Sequence, residues 1–410
     1  MSQTMRSALD ERMREGVDRV GRADILVGIP SFNNAATVGH VARTAAAGLR
    51  EHFPDARAVI VNADGGSKDG TRDAVLAATG EVPAISGEYV GPPGKGSAFH
   101  AIFEAAGTLG ARACAVVDSD LRSIRPTWID RLLGPVVADG ADYVTPLYAR
   151  HKYDGTITNS VAYPLTRALY GIRLRQPIGG EFGFSAALAR AFLAGEALST
   201  TAGRAPGVNG NVWESDVARF GIDIYMTTTA LVRNARIVQA FLGAKIHDPK
   251  DPGADLAPMF TQVVGTAFRL AIANHDRWVA VTDSRPAEVV GDLEPVEPEP
   301  VNASVETLER KFAAGRAEHG ATWERVLSRG LPDRFDDTAW ARIVYDFLLA
   351  ARRAPGDIGT LTRALVPLYF ARVAAFIADA RELTTAQSEE LVESQARAFE
   401  GMKGELAARW

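Results

Sequence analysis

The sequence predicts an α/β fold with a mostly parallel sheet, followed by a helical C-terminal region. Between residues 25 and 148, short apolar runs alternate with segments of helical periodicity, and polar loops follow several of the runs. Between residues 305 and 410, helical periodicity and helix-forming residues repeat. Alternating strands and helices form a largely parallel sheet covered on both faces, with ligands at the carboxyl ends of its strands.

Apolar runs and helical spacing predict the individual strands and helices along the chain. Ile25–Pro30 is a short apolar run ended by proline, which is typical of a buried strand. The other predicted strands are residues 56–62, 82–86, 112–118 and 143–148, and residues 213–247 are predicted to form a helix and then a strand. The predicted helices are residues 5–20, 36–49, 71–78 and 97–109. The loops after Pro30, Asn62 and Val117 are expected to converge.

The second half of the chain contains the best candidate for a linker. Residues 283–304 are rich in Pro, Glu and Val, and Glu294–Pro300 is incompatible with a regular helix or a central strand. Beyond it, residues 364–383 and 386–406 have helical spacing. We therefore predict an N-terminal helix (1–22), an α/β domain (23–282), a linker (283–304) and a helical domain (305–410) for packing or oligomerisation.

Composition excludes several classes of protein. The chain has 410 residues, 47% hydrophobic residues and a formal net charge of −5, without a basic stripe interleaved with aromatics, so nucleic acid is not an expected partner. Its single cysteine, Cys114, lies in an apolar run and is expected to be a buried thiol. Because no apolar run reaches ~20 residues and no signal peptide is visible, a cytoplasmic protein without membrane contact is expected.

Two carboxylates follow the apolar run that ends at Val117. Asp118-Ser119-Asp120 places them one residue apart at the end of a predicted buried strand. Desolvated carboxylates need compensation, and either a divalent cation or a nucleotide ribose would provide it. Mg²⁺ or Mn²⁺ prefers oxygen ligands and commonly combines one or two carboxylates with substrate phosphates. A solvated turn or a helix cap is the alternative interpretation of the triplet.

Two further motifs fit a nucleotide and metal site. In Pro93-Gly94-Lys95-Gly96, the glycines allow close backbone approach to a ligand, and Lys95 offers a compact charge to phosphate. His247 follows an irregular segment and offers a neutral imidazole as a third protein ligand to the cation. A simple turn before a helix and a structural histidine are the respective alternatives.

Together these motifs resemble a family of retaining glycosyltransferases that make glucosylglycerate and mannosylglycerate compounds. The glucosyl-3-phosphoglycerate and glucosylglycerate synthases are the nearer relatives, and mannosylglycerate synthase is more distant. The resemblance covers roughly residues 25–250. The motifs that carry it are Pro30-Ser-Phe-Asn33, Asp64-Gly-Gly-Ser-Lys-Asp-Gly70, Pro93–Gly96, Asp118-Ser-Asp120, Gln176-Pro-Ile-Gly-Gly-Glu181 and His247.

The resemblance implies a GT-A fold and a donor site for a nucleotide sugar. It implies that Lys95 meets the diphosphate, that Asp118 lies beside the ribose, and that Asp120 and His247 bind a divalent cation. That cation would stabilise the leaving diphosphate as a Lewis acid. The residues implied on the nucleotide-sugar side are Pro30, Ser31, Asn33, Asp64, Lys95, Asp118, Ser119, Gly179 and Gly180.

The resemblance also implies residues around the transferred sugar and the acceptor. Gly179, Gly180 and Glu181 are expected under the sugar, and Asp223 is expected near the reacting centre, where it positions the acceptor or assists its deprotonation. In the acceptor loop, Arg150, Thr156 and Thr158 are expected to bind the acceptor. An arginine there suits bidentate recognition of a carboxylate.

Thr156 is also where the sequence departs from part of the family. The glucosyl-3-phosphoglycerate synthases carry an arginine at this position, so a cationic contact to phosphate is missing. This favours unphosphorylated glycerate as the acceptor, with 3-phosphoglycerate as the alternative.

The predicted reaction is transfer of a hexose, preferably glucose, to glycerate with retention of anomeric configuration. The acceptor hydroxyl attacks as the diphosphate departs from the same face, and no residue requires a covalent glycosyl-enzyme. The donor is left open between UDP-glucose, GDP-glucose and GDP-mannose, and a homodimer is expected. Three less favoured classes are an inverting polysaccharide or lipid glycosyltransferase, a non-catalytic sugar-nucleotide-binding protein and a nucleotidyltransferase.

Overall fold

The computed structural model describes residues 7–200, 203–204, 211–246, 256–292, 296 and 298–410. The helices are α1 (Glu11–Val20), α2 (Ala35–His52), α3 (Thr71–Ala78), α4 (Lys95–Leu109), α5 (Pro126–Val137), α6 (Tyr163–Tyr170), α7 (Ala186–Ala194), α8 (Ile222–Val232), α9 (Leu256–Ala273), α10 (His275–Trp278), α11 (Val305–Val326), α12 (Asp337–Arg353), α13 (Ile358–Ala380) and α14 (Thr385–Arg409). A π-helical turn spans Thr158–Ala162, and 3₁₀ turns span Glu196–Leu198, Val212–Glu214, Asp216–Ala218 and Pro355–Asp357.

The strands are β1 (Ile25–Ser31), β2 (Ala58–Asp64), β3 (Ala84–Glu88), β4 (Ala113–Val116), β5 (Tyr143–Ala149), β6 (Ile172–Arg173), β7 (Phe182–Ser185), β8 (Ser199–Thr200), β9 (Gly203–Arg204), β10 (Ile237–Ala244), β11 (Arg285–Pro286) and β12 (Glu288–Val290). Eight of them form the main sheet in the order β12, β10, β5, β7, β4, β1, β2, β3. Among these described strands only β7 runs antiparallel to its neighbours, so the predicted mostly parallel α/β fold is confirmed.

The sheet order places a switch point beside β1. The chain proceeds from β1 outward through β2 and β3, and β4 then returns to the other side of β1. Parallel pairing aligns Ser31 with Asp64 on one side and Gly28 with Val116 on the other. Ligands of open α/β sheets bind at the carboxyl ends of the strands where the order reverses. The Asp118-Ser119-Asp120 motif lies at that point, directly after β4.

Helices cover both faces of the sheet, as predicted. Every residue of β1 is buried, and its side chains alternate between two hydrophobic clusters. Ile25, Val27 and Ile29 pack with α2 and α5, whereas Leu26 faces the cluster that contains α4. A strand buried on both faces is apolar throughout, which explains why this run is a clear signal in the sequence.

The C-terminal helices join the larger of these two clusters, whose buried members run from Ala8 to Leu406. Helices α9 and α13 are long and apolar enough to cross a membrane, which the sequence prediction overlooked, but their apolar windows are 50% and 78% buried in the protein. Cys114 is buried, and this burial raises the pKa of its thiol to about 12, which fits an inert structural cysteine. The division into separate domains stays a prediction.

Candidate active site

A cleft of about 540 Å³ opens at the carboxyl ends of the strands, beside the switch point. The lining residues come from the loops after β1, β4 and β5, from the starts of α4 and α9, and from the segment before β7. Eleven of the predicted site residues line it, namely Pro30, Ser31, Lys95, Asp118, Ser119, Asp120, Arg150, Thr156, Thr158, Gly179 and Gly180, and Asp223 is a twelfth. Asn33, Asp64 and Glu181 do not line it, and His247 lies outside the described residues.

Asp118 lies between two lysines. Lys95 Nζ is 2.8 Å from Asp118 Oδ1, and Lys245 Nζ is 3.0 Å from Asp118 Oδ2. Burial alone would raise the pKa of Asp118, but Lys245 and then Lys95 hold it well below its ordinary value. The carboxylate is therefore charged and held in one orientation at the end of β4.

Lys245 is the functional candidate that sequence reasoning missed. Its side chain is only 5% exposed, and Nζ contacts Asp118, both oxygens of Glu181 at 2.9 and 3.0 Å, and the carbonyl of Gly179 at 2.8 Å. Burial would lower its pKa, yet the carboxylates of Asp118 and Glu181 raise it. The available signal was its position directly after β10, where a parallel strand delivers residues to the cleft.

Glu181 lies beneath the cleft floor rather than in it. It is 0% exposed, and its carboxylate accepts hydrogen bonds from Tyr148 Oη and Lys245 Nζ. Burial raises the pKa of Glu181 to about 7, Lys245 opposes that change, and Asp118 adds to it. In this conformation Glu181 positions Lys245, and Gly179 and Gly180, rather than Glu181, line the cleft.

Gly179 and Gly180 form that floor because there is no room for larger residues. A Cβ on Gly180 would lie 2.4 Å from Asp118 Oδ2, and Gly180 has a φ of +97°, which favours glycine. A Cβ on Gly179 would lie 2.1 Å from Pro146 Cγ. The ring of a ligand can therefore approach the backbone closely here.

Asp223 faces the cleft from the first turn of α8. Its Oδ1 is buried without a hydrogen-bond partner in the described structure and lies 3.5 Å from Lys95 Nζ. Burial raises the pKa of this carboxyl above its ordinary value, with Lys95 acting in the opposite direction. A buried oxygen that lacks a partner is available to accept a hydrogen bond from a ligand hydroxyl.

Asp64 holds together the loops that follow β1 and β2. It is fully buried, and its carboxylate accepts hydrogen bonds from Ser31 Oγ at 2.7 Å and from Ser67 N and Oγ at 2.6 and 2.7 Å. Asn33 contacts the same loop, because its side-chain oxygen accepts a hydrogen bond from Lys68 N at 3.3 Å. These two predicted residues fix the loops after β1 and β2, and Ser31 and Phe32 present the surface that lines the cleft.

Asp120 presents a carboxylate to the cleft. It lines the cleft, and its carboxylate makes no hydrogen bond or ion pair with the rest of the described chain, in contrast to Asp118. Within the described ranges no group of three or more His, Cys, Asp or Glu side chains is placed to hold a metal ion. A cation bound here would therefore need ligands besides Asp120, and a carboxylate oxygen is a ligand that hard divalent ions prefer.

The loop that carries Lys95 is packed tightly against the segment before α8. A Cβ on Gly96 would lie 1.8 Å from the Val217 carbonyl oxygen, and one on Gly94 would lie 2.5 Å from that of Ala218. Because these neighbours are backbone atoms, only glycine permits the approach. This contact brings Lys95, at the start of α4, within reach of Asp223 on α8.

The predicted acceptor residues lie together on the opposite wall. Arg150 Nη1 pairs with Asp154 Oδ2 at 3.0 Å, and its Nε is 3.4 Å from Gln176 Oε1. Gln176 in turn donates to the Tyr148 carbonyl at 3.2 Å, so the selective Gln176–Glu181 motif joins the acceptor wall to the floor. Arg150 is the only arginine among the described residues that line the cleft.

The fold and the site fit the resemblance to GT-A glycosyltransferases: a mostly parallel sheet carries Asp118-Ser119-Asp120 at its switch point, and Lys95 Nζ lies 2.8 Å from Asp118 Oδ1. In sequence, the chain is similar to the glucosyl-3-phosphoglycerate synthase of Mycolicibacterium smegmatis, with 28% identity over 265 residues that cover 60% of this chain and 77% of the relative. No protein-family model matches the chain. The similarity confirms the resemblance predicted from the motifs and the class of enzyme, a hexosyltransferase.

Solved structures of glucosyl-3-phosphoglycerate synthase from Mycobacterium tuberculosis are also similar. The complex with Mn²⁺, uridine diphosphate and glucosyl-3-phosphoglycerate has 23% identity and a TM-score of 0.45, and the match covers 65% of this chain and 85% of that one. The complex with Mn²⁺, UDP-glucose and phosphoglyceric acid has 22% identity and a TM-score of 0.45, covering 65% and 86%. Another of these structures contains Mg²⁺ with uridine diphosphate.

Proposed function

We propose that this chain is a retaining, divalent-cation-dependent hexosyltransferase that transfers glucose from a nucleotide sugar to glycerate. The observation that carries the proposal is one cleft that holds Asp118-Ser119-Asp120, two lysines, a glycine floor and Arg150. A diphosphate, a sugar ring and a small carboxylate would each find matching groups there.

On the donor side, Lys95 and Lys245 place two positive charges beside the end of β4. Both lysines line the cleft, but Lys245 is 5% exposed and is tied to Gly179 and Glu181, whereas Lys95 is 16% exposed, so Lys95 is assigned to the diphosphate. Ser31 and Phe32 line the end assigned to the nucleoside. Whether the base is uracil or guanine is part of the test below.

The cation is proposed to bind Asp120, with His247 as the second protein ligand. Mg²⁺ or Mn²⁺ suits this site because hard divalent ions prefer oxygen ligands, and the carboxylate of Asp120 has no partner within the described chain. When bound, such an ion stabilises negative charge on a leaving diphosphate as a Lewis acid.

The arrangement of carboxylates supports retention without a covalent intermediate. Glu181 is fully buried below Gly179 and Gly180, which leaves Asp223 as the carboxylate facing the reaction from α8. Because burial raises the pKa of Asp223, its carboxylate accepts a proton more readily than an ordinary aspartate. Asp223 therefore orients the acceptor hydroxyl or takes its proton, while the cleft supplies orientation and charge stabilisation.

Arg150 is proposed to bind the acceptor carboxylate, and the surroundings favour glycerate. A phosphorylated acceptor carries two anionic groups, but Arg150 is the only guanidinium that lines the described cleft, and Thr156 is bonded to Tyr369. The second candidate is 3-phosphoglycerate, which the name of the Mycolicibacterium smegmatis relative supports. These acceptors differ by one phosphate group, so direct comparison decides between them.

A substrate matrix tests the proposed function. UDP-glucose, GDP-glucose and GDP-mannose are each incubated with glycerate or 3-phosphoglycerate and Mg²⁺, and products are identified by NMR. We expect glucosylglycerate with the anomeric configuration of the donor, from one of the two glucose donors. A large preference for 3-phosphoglycerate would overturn the acceptor assignment, and an inverted product would overturn retention.

A cytoplasmic homodimer is proposed as the working form of the enzyme. What supports the absence of membrane contact is that the apolar windows of helices α9 and α13 are 50% and 78% buried within the protein. Light scattering on the purified protein measures the oligomeric state, and a monomer at all concentrations would reject the dimer.

A further inference from the structure

The acceptor loop, residues 150–160, is held on its outer side by the C-terminal helices. Lys152 Nζ donates to three carbonyls at the end of α13, those of Ala380 at 2.8 Å, Arg381 at 2.9 Å and Leu383 at 2.7 Å. The carboxyl end of a helix carries partial negative charge and unpaired carbonyls, so a lysine is well suited to this position. This contact ties the loop to α13.

A second contact joins α13 to a residue that lines the cleft. Thr156 Oγ1 and Tyr369 Oη are 2.5 Å apart, and both residues are buried. The Tyr369 ring also stacks on Phe260 of α9, with ring centroids 4.4 Å apart. Tyr369 therefore fixes the Thr156 hydroxyl from behind the acceptor wall.

Two more side chains from this region bond to the end of the loop. Gln395 on α14 donates to the Asn159 carbonyl at 2.5 Å, and Trp340 Nε1 on α12 donates to the Ser160 carbonyl at 2.7 Å. Helices α12, α13 and α14 thus each contribute a contact. The ion pairs of the donor-side residues Lys95 and Asp118 are made within the α/β part of the chain instead.

We infer that Tyr369 and Lys152 are positioning residues for acceptor recognition, and that helices α12–α14 form the outer support of the acceptor site. This inference rests on the proposed function, because it assigns the wall of Arg150, Thr156 and Thr158 to the acceptor. Tyr369 and Lys152 act through the loop and do not touch the substrate. Their loss loosens the acceptor wall and leaves the donor side in place.

The test is Tyr369→Phe in the full chain, which keeps the buried ring and removes only the hydroxyl bonded to Thr156. A hydrogen bond of this kind contributes about 0.5–1.5 kcal/mol, so we expect the acceptor KM to rise about 2- to 12-fold. The KM for the nucleotide sugar and kcat at saturating acceptor stay within about twofold of wild type. Lys152→Met shows the same pattern, and Lys152→Arg restores part of the loss.

Tyr345→Phe is the matched control, because Tyr345 is also buried among these helices and its hydroxyl donates to the Phe399 carbonyl at 2.8 Å, away from the cleft. It is expected to leave the acceptor KM unchanged. An unchanged acceptor KM in Tyr369→Phe, or an equal rise in the donor KM, would overturn the inference. Thr156→Val should raise the acceptor KM less in the Tyr369→Phe background than in the wild-type chain, because Thr156 and Tyr369 share one hydrogen bond.

Hydrogen exchange separates failure of this inference from failure of the proposed function. Amides of residues 150–160 should exchange faster in Tyr369→Phe and Lys152→Met than in wild type, with β1 and β4 unchanged. This measurement needs no substrate. If the substrate matrix yields no product but the loop exchanges faster, the acceptor assignment is wrong and the support by the helices stands; unchanged exchange rejects the support itself.

Discussion

At the scale of residues, the site is organised by buried charge. Asp118, Glu181 and Asp223 lie within contact distance of Lys95 or Lys245, and the lysine side chains are only 16% and 5% exposed. Removing one member of a buried pair leaves its partner uncompensated, which generally costs about 3–5 kcal/mol. The lysines therefore keep Asp118 charged, oppose the rise in pKa that burial causes at Glu181 and Asp223, and hold the floor of the cleft in place.

Asp120→Asn should abolish the response to added cation. The change keeps the size of the side chain but removes a carboxylate that faces the cleft with no partner in the described chain. We expect turnover to fall about 100-fold or more, as measured with the best donor and acceptor over a range of Mg²⁺ or Mn²⁺ concentrations. Asp73→Asn, at an exposed position on α3, is the control. A wild-type metal response in Asp120→Asn would contradict the assignment.

Glu181 should make stability depend on pH in the window between its ordinary and its shifted pKa. Burial raises this pKa from 4.5 to about 7, so the folded protein holds the proton more tightly than the unfolded chain. That contribution is complete below about pH 4.5 and is lost as the pH rises to about 7. Glu181→Gln removes this titration. The unfolding free energy of the variant minus that of wild type should therefore increase by about 3 kcal/mol as the pH rises from about 4.5 to about 7.

Urea unfolding of both proteins between about pH 4.5 and pH 8 measures this difference. Glu405→Gln, an exposed substitution on α14, serves as the control and should follow the wild-type curve. Parallel curves for Glu181→Gln and wild type would show that the carboxylate of Glu181 does not titrate in this range.

The residues that follow the strands could be predicted from the sequence, but the contacts between their side chains could not. Pro30, Ser31 and Asp118 to Asp120 reach one cleft because parallel strands deliver their carboxyl ends to one edge. Lys245 was missed because lysines are usually solvated, and its burial depends on Glu181, which is distant in sequence. For the same reason, the burial of Glu181 and Asp64 below the cleft was not visible in the motifs.

At the scale of elements, the start of α4 depends on close backbone packing. Gly96→Ala would place a Cβ 1.8 Å from the Val217 carbonyl oxygen, so α4 and the Val217 segment must separate. We expect a loss of about 1–3 kcal/mol or more of unfolding free energy and weaker donor binding, measured by urea unfolding and donor KM. Gly107→Ala is the control on the same helix, with no atom within 4 Å, and should stabilise the protein by up to about 1 kcal/mol.

If Gly96→Ala were as stable and active as Gly107→Ala, the contact between α4 and the segment before α8 would not hold Lys95 in place.

Elements were predictable where one periodicity dominates a segment. Both ends of helix α3 were predicted correctly, and the ends of β1 and β2 lie within two residues of the predicted apolar runs. Strand β7 was missed because it has only four residues and follows a glycine-rich turn, and its antiparallel pairing depends on β4 and β5. Helix α5 was missed because Gly134 and Pro135 are unfavourable inside a helix, and helix α9 was missed because it contains few of the polar residues that mark an amphipathic pattern.

At the scale of the whole molecule, the C-terminal helices and the α/β part share buried contacts. Arg167 on α6 is 3% exposed and pairs with Glu393 at 2.6 Å and Glu400 at 2.9 Å, both on α14. Helices α9 and α13 pack into the same hydrophobic cluster. These buried contacts join the C-terminal helices closely to the α/β part, whereas an appended domain would need few such contacts.

Removal of residues 305–410 should therefore leave a chain that does not fold stably. Truncation would expose the apolar faces of α6 and α9 and leave Arg167 without its carboxylate partners. Loss of the near-ultraviolet circular dichroism signal together with dye binding to exposed apolar surface would report this state. A folded fragment that still binds the nucleotide sugar would instead support the predicted boundary at residues 283–304.

The contacts on the outer side of the acceptor loop involve different elements from those that hold the donor-side residues. The groups assigned to the donor depend on β1, β4 and α4, whereas the loop that carries Arg150 depends on Lys152, Tyr369 and Gln395. On the proposed function, substitutions on the buried face of α13 are expected to alter acceptor preference without changing the groups assigned to the donor. We expect libraries of variants at that face, rather than at the cleft itself, to yield enzymes with a changed acceptor preference and an unchanged donor.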